Sequence, residues 1–159
     1  MASGPEARAR RDRSGDDRAR SRRTGRRLAL AAVFEAEFGQ RTADAILERH
    51  LAEEADPEAA GLAREITGNV VRHRDSLDAR ITAAAPQYPV VSLARMDRAL
   101  LRCGLCEVLH SPATPARVAI AEWVELARTY SGDPMRRLMN GVLGRVARDQ
   151  DATRRDTQT

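Results

Sequence analysis

Cys103, Cys106 and His110, inside LARMDRALLRCGLCEVLH (93–110), have the types and spacing that could bind a metal or run thiol redox chemistry. A structural zinc site wants four ligands, usually two C-x-x-C pairs or Cys and His pairs. No second pair accompanies this one. A redox C-x-x-C activates its first thiol at a helix N-terminus, where the dipole favours the thiolate. Cys103 instead stands about ten residues into a run of helical periodicity. Positions 103, 106 and 110 share one helical face with Met96 and Leu100, so the expectation is a core helix whose small thiols pack against other helices. His110 is expected to cap carbonyls at its end. No metal and no cofactor are expected.

Other chemistry finds no better foothold. The chain has no G-x-S-x-G elbow, no phosphate-binding G-x-x-x-x-G-K-[ST] loop, no G-x-G-x-x-G and no H-E-x-x-H. Glu122 and Glu125 beside Arg128 have the spacing of a charged helix face. An enzyme is not expected.

The elements around the thiols are all helical in pattern. RRLALAAVFEAEFG starts near Arg26 and stops at Gly39; TADAILERHLAEEAD has Thr42 as its N-cap and ends before Pro57. From Pro57 to Ala85 the apolar spacing suits a long helix, with a break expected near Asp75 and Ser76. Pro86 and Pro89 impose an extended linker. Ser92 is positioned to cap the thiol-bearing helix, and Pro112 and Pro115 turn the chain after it. ARVAIAEWVELARTYSG follows, and Asp133 with Pro134 opens a last helix. Six or seven helices and no strand signal make the fold class all-α.

Composition agrees. Only 3% of the residues are aromatic, so core volume must come from small aliphatic side chains on closely approaching backbones, which favours helices over sheet. Residues 1–25 hold eight arginines against four acids, whereas residues 26–148 hold seventeen against sixteen. The basic excess is therefore a property of the N-terminal stretch, read as a disordered arginine-rich tail preceding a domain over 26–148; residues 149–159 are read as a second disordered tail. Solvated arginine attracts phosphate, which makes nucleic acid the natural partner. No apolar run approaches the roughly 20 residues that span a bilayer, and the N-terminus lacks the apolar middle of a secretion signal. A cytoplasmic protein with reduced thiols and no membrane partner is expected.

Three stretches together resemble the NusB transcription antitermination factors. They are the opening RRLALAAVFEAEFG; the thiol-bearing helix, with D-R-A-x-L-R-x-G-x-x-E from Asp97; and TPARVAIAEWVELARTYSGDPMRRLMNGVLGRVAR, with P-x-x-V-x-I-x-E-x-V-E-L-A-x-x-Y/F and a closing N-G-V-L. Their order and spacing carry the resemblance, which covers nearly all of 26–148. It implies two small helical bundles set against each other, without a catalytic centre. It also implies pairing with the ribosomal protein NusE, binding of a single-stranded boxA element in nascent ribosomal RNA, and conversion of RNA polymerase to a terminator-resistant form. A homodimer hiding the RNA face is compatible with it, as is the alternative of a helical interaction module that binds NusE or another partner without specific RNA recognition. Similar domains begin ribosomal-RNA cytosine methyltransferases; no cofactor-binding domain follows here, so the factor rather than the enzyme is expected.

Carried over by position, the implied RNA face comprises Arg22, Arg23, Arg26 and Arg27 entering the first helix, Arg117, and Arg136 with Arg137. The implied partner face comprises Phe34, Asp97 and Arg98. Asn140 and Gly141 are expected to be structural, in close helix packing. The chain departs from the family pattern at Leu138, often aromatic, and at Ala121, usually Asn, so weaker base stacking by this protein alone is expected.

Overall fold

The structure, a computed structural model, describes residues 4–53 and 56–159, residue 13 by its backbone only. Residues 1–3 of the expected tail and 54–55 of the second helical stretch lie outside the described residues. Six α-helices follow in order: α1 (Pro5–Ala36), α2 (Ala43–Leu51), α3 (Pro57–Ala84), α4 (Arg95–His110), α5 (Ala116–Tyr130) and α6 (Asp133–Thr157). One 3-10 turn, Val90–Ser92, precedes α4. No strand occurs among the described residues.

Local chemistry sets most boundaries. Gly39, at φ +76°, lets the chain leave α1. Thr42 then caps α2, its hydroxyl accepting from the Ala45 amide at 3.2 Å. Asp56 caps α3 in the same way, accepting from the Glu58 amide at 3.1 Å, with Pro57 opening the helix. The expected break in α3 falls at His73 (φ −112°, ψ 16°) rather than at Asp75 and Ser76, and the helix runs on across it. Ser76 bonds the His73 carbonyl at 3.0 Å, tightening that kink. Ser92 does not cap α4; it belongs to the 3-10 turn, and Ala94 holds the cap position without a side-chain bond. Gly132 is at φ 138°, and Asp133 becomes the first residue of α6 rather than its cap.

The helices form two three-helix groups, α1–α3 and α4–α6, joined where α4 packs on α1 and α3. Leu30, Ile66, Leu77, Ile81, Leu100, Leu105, Trp123 and Met139 lie in one core spanning both groups. A smaller core beneath α2 gathers Ala32, Ile46, Leu47 and Leu51. Close approach depends on glycine at two places. A Cβ on Gly25 would come within 2.7 Å of the Ala59 carbonyl, and one on Gly104 within 3.2 Å of both Trp123 and Leu143. The expected packing role at Gly141 does not hold: both Asn140 and Gly141 are exposed, and the space around Gly141 is open.

The tails are corrected as well. α1 starts at Pro5 and α6 runs to Thr157, so residues 5–25 and 149–157 are helical. Alanine and arginine are good helix formers, and extending an established helix avoids a new nucleus. Apolar periodicity misses such segments because they bury no large apolar side chain.

Candidate nucleic-acid interface

Glu107 stands on the buried face of α4, in its last turn, and is fully buried. A charge there demands a partner, and Arg26 of α1, 2% exposed, supplies a bidentate one at 2.8 Å to each carboxylate oxygen. Trp123 of α5 donates its indole N–H to the same carboxylate at 2.9 Å. Burial pushes the Glu107 carboxyl up, but Arg26, with Trp123 and Thr114, outweighs it and holds the group below its ordinary value. Thr114 also accepts from Arg22 at 2.5 Å, so Arg22 ties the α4–α5 connection to α1.

The seven arginines expected on one RNA face are therefore divided. Arg26 is not on the surface; its guanidinium is committed to Glu107, because the buried carboxylate outcompetes solvent for it. Arg22 and Arg18 both reach Glu58, at 3.2 and 3.3 Å. Arg23 reaches Glu122 at 3.2 Å. Arg27 lines a different cleft with Phe34 and Tyr130. Arg117, at the start of α5, is exposed and has no acid partner among the described residues. Arg136 pairs with Asp133 at 3.2 Å, while Arg137 is exposed without such a partner. Arg117 is in the first turn of α5 and Arg137 in the second turn of α6. Arg18 was missed because periodicity stopped at residue 26. It lines a shallow cleft with Gly15, Arg22, Thr114 and Pro115.

Of the expected partner residues, Phe34 is half-buried and meets Phe38 edge to face at 5.4 Å. Arg95 covers the exposed Phe38 ring at 4.7 Å. With Met96 and Tyr130 these rings line a cleft of about 380 Å³. Asp97, in the first turn of α4, is partly exposed. Arg98 turns inward: it binds Glu37 at 2.9 Å and the carbonyls of Val90, Val91 and Leu93, fixing the turn before α4. Arg102 bridges Glu37 at 2.5 Å to Asp78 at 2.8 and 2.9 Å. For Glu37, burial is again outweighed, here by Arg98 and Arg102, leaving its carboxyl below the ordinary value. Sequence reasoning missed Arg102 and Glu107; the signal was a charged residue inside an otherwise apolar helical run.

Both thiols are core groups. Cys106 donates to the Ile66 carbonyl at 3.6 Å, and burial with the nearby Glu107 charge pushes its thiol up to about 12. Burial pushes Cys103 well up too, with the Cys106 and Glu107 charges adding to it. His110 is not a cap; its ring stacks on His73 at 4.1 Å, at the kink of α3. Burial, with the His73 and Arg80 charges, lowers the His110 pKa.

The protein is a two-bundle helical fold whose thiols are buried and whose interior charges are paired with one another. Residues 23–148 match the NusB family, and the chain belongs to that family. Among curated relatives it is similar to the transcription antitermination protein NusB of Dehalococcoides mccartyi, 36% identical over 129 residues, covering 80% of this chain and 90% of that one. The NusB of Myxococcus xanthus is also 36% identical, over 132 residues, covering 80% and 94%. Among solved structures, Thermotoga maritima NusB superposes with a TM-score of 0.74 at 29% identity, covering 80% of this chain and 90% of that one. The fold is also that of a chain in the crystal structure of the antitermination factors NusB and NusE in complex with dsRNA, with a TM-score of 0.73 at 19% identity, covering 82% and 98%. The family is one of transcription antitermination factors, not of enzymes. No helix among the described residues is long and apolar enough to cross a membrane.

Proposed function

We propose that this protein binds boxA-type single-stranded RNA in ribosomal RNA transcripts together with NusE, and so supports a terminator-resistant RNA polymerase. The observation that carries the reading is the placement of Arg117 and Arg137 near the starts of α5 and α6, exposed and without acid partners among the described residues. Arginine beside helix N-termini engages phosphate bidentately while backbone N–H groups also face the anion. Arg22 and Arg23 contribute by exchanging Glu58 and Glu122 for phosphate. Phe34 and Asp97 are assigned to the NusE face, next to the aromatic cleft.

The test is binding of a labelled boxA-like RNA against a shuffled RNA, with and without NusE, at low and moderate salt. Affinity that rises with NusE, favours boxA and falls steeply with salt is expected. Indifference to sequence and to NusE overturns the reading. The exposed Phe38 and Tyr130 favour a second reading, an interaction module without specific RNA recognition. NusE binding that resists salt, with no preference for boxA, selects it.

A further inference from the structure

Sequence-specific recognition of single-stranded RNA depends on flat side chains that stack splayed bases. This chain has one Trp, two Tyr, two Phe and three His. Trp123 is buried against Glu107. Phe34 and Phe38 pack on each other and line one cleft with Tyr130. His50 engages Glu35 at 3.2 Å, and His73 and His110 stack together. Three flat side chains are well exposed, Phe38 at 51%, Tyr88 at 47% and Tyr130 at 46%, and of these Tyr88 lines a cleft with Arg137.

Its setting is a cleft of about 410 Å³ between the α3–α4 connection and the start of α6, lined by Tyr88 and Gln87 together with Arg137, Leu138 and Val142. The connection is stiff. Pro86 and Pro89 fix the backbone on both sides of the ring, the Tyr88 amide donates to the Ala85 carbonyl at 3.0 Å, and the Ser92 amide to the Pro89 carbonyl at 2.9 Å. A backbone held this way loses little freedom on binding.

We propose that this cleft is a nucleobase site. Tyr88 stacks an unpaired base of single-stranded RNA, the Gln87 amide meets the base edge, and Arg137 engages the adjoining phosphate. The charge suits a polyanion, since Arg137 has no acid partner among the described residues. The exposed flat ring beside Leu138 and Val142 suits a base rather than a phosphate alone. The assignment rests on the RNA-binding reading above and adds the residue that grips a base.

The experiment titrates the full chain, in the presence of NusE, with a short labelled single-stranded RNA and with inorganic polyphosphate. Tyr88→Ala and Tyr88→Leu should each weaken RNA binding by about tenfold or more, the loss of one stacked base, while leaving the salt slope and polyphosphate binding unchanged. Tyr88→Phe should retain the affinity, and Arg137→Ala should lower the salt slope by about one. Wild-type RNA binding that Tyr88→Ala leaves intact overturns this site and spares the functional reading; no RNA binding by the wild type overturns both. A Tyr88→Ala loss shared equally by polyphosphate overturns stacking. Weakened NusE capture without RNA marks a protein contact instead, and overturns the site too.

Discussion

α4 carries an ion cluster at each end, and the two differ in what water can reach. At the C-terminal end one cation and one anion, Arg26 and Glu107, are 2% and 0% exposed, with Glu122 a more distant second carboxylate at 4.0 Å from Arg26. At the N-terminal end Arg98 and Arg102 share Glu37 and Asp78, whose side chains are 13% and 26% exposed. The contacts are of similar length, yet the first cluster has only the distant Glu122 to take up a lost partner and almost no solvent, whereas the second has both close spare partners and solvent. A dry pair joins three helices tightly and tolerates little; a wet network spreads its load.

The largest effect is expected at the dry end. Glu107→Ala leaves the Arg26 guanidinium buried and the Trp123 N–H without its acceptor, a loss of about 3–5 kcal/mol. For a domain of this size that lowers the melting temperature by roughly 10 °C, read by circular dichroism. The double variant Arg26→Met/Glu107→Leu should recover most of the loss, since removing both charges removes the desolvation cost. Its failure to do so would show that the pair stabilises by attraction rather than by mutual relief.

Arg102→Ala should cost less, about 1–3 kcal/mol, because Arg98 still holds Glu37 and water reaches Asp78. Urea titration that places this variant level with Glu107→Ala would erase the distinction between the two ends.

Acid should separate them next. Glu107 and Glu37 both sit below the ordinary carboxylate value in the fold. Their contribution is complete above the unfolded value of about 4.3 and is lost as pH falls through the lower folded values. Stability measured from pH 6 down to acid unfolding should therefore fall below about pH 4. Glu107→Gln should flatten that fall more than Glu37→Gln, because neutralising the dry carboxylate leaves the buried Arg26 charge without solvent, whereas water reaches the Glu37 network.

These clusters show what the sequence could and could not reveal. The core face of α4 was legible, because Met96, Leu100, Cys103 and Cys106 repeat with the helical period and burial follows period. Thr42 was legible as a cap because its chemistry is local. Arg26 and Arg27 were not separable: both are arginines entering the first helix, and only the rotation of α1 against α4 sends one to Glu107 and the other to the aromatic cleft. Arg98 likewise reads as a surface residue until the 3-10 turn offers it three carbonyls. The terminal helical extensions bury no apolar face, so no hydrophobic period marks them. Long-range charge pairing is a tertiary property, and adjacent residues of one type carry no local signal of it.

The smallest effect sharpens the comparison most directly, because it uses the same residue type three positions away. Arg23 pairs with Glu122 at 3.2 Å, as Arg26 pairs with Glu107, but its side chain is 54% exposed. The Glu122 hydrogen bond and charge raise its pKa, yet solvent solvates Arg23 nearly as well when the pair is broken. Arg23→Ala should therefore change stability by no more than about 0.5 kcal/mol, while lowering the salt slope of RNA binding if Arg23 contacts phosphate. Unchanged stability with a reduced salt slope separates the two neighbours by role: Arg23 for the ligand, Arg26 for the fold. A stability loss approaching that of Glu107→Ala would mean that Glu122 is as dependent on its arginine as Glu107, and that burial does not decide what an ion pair is worth in this protein.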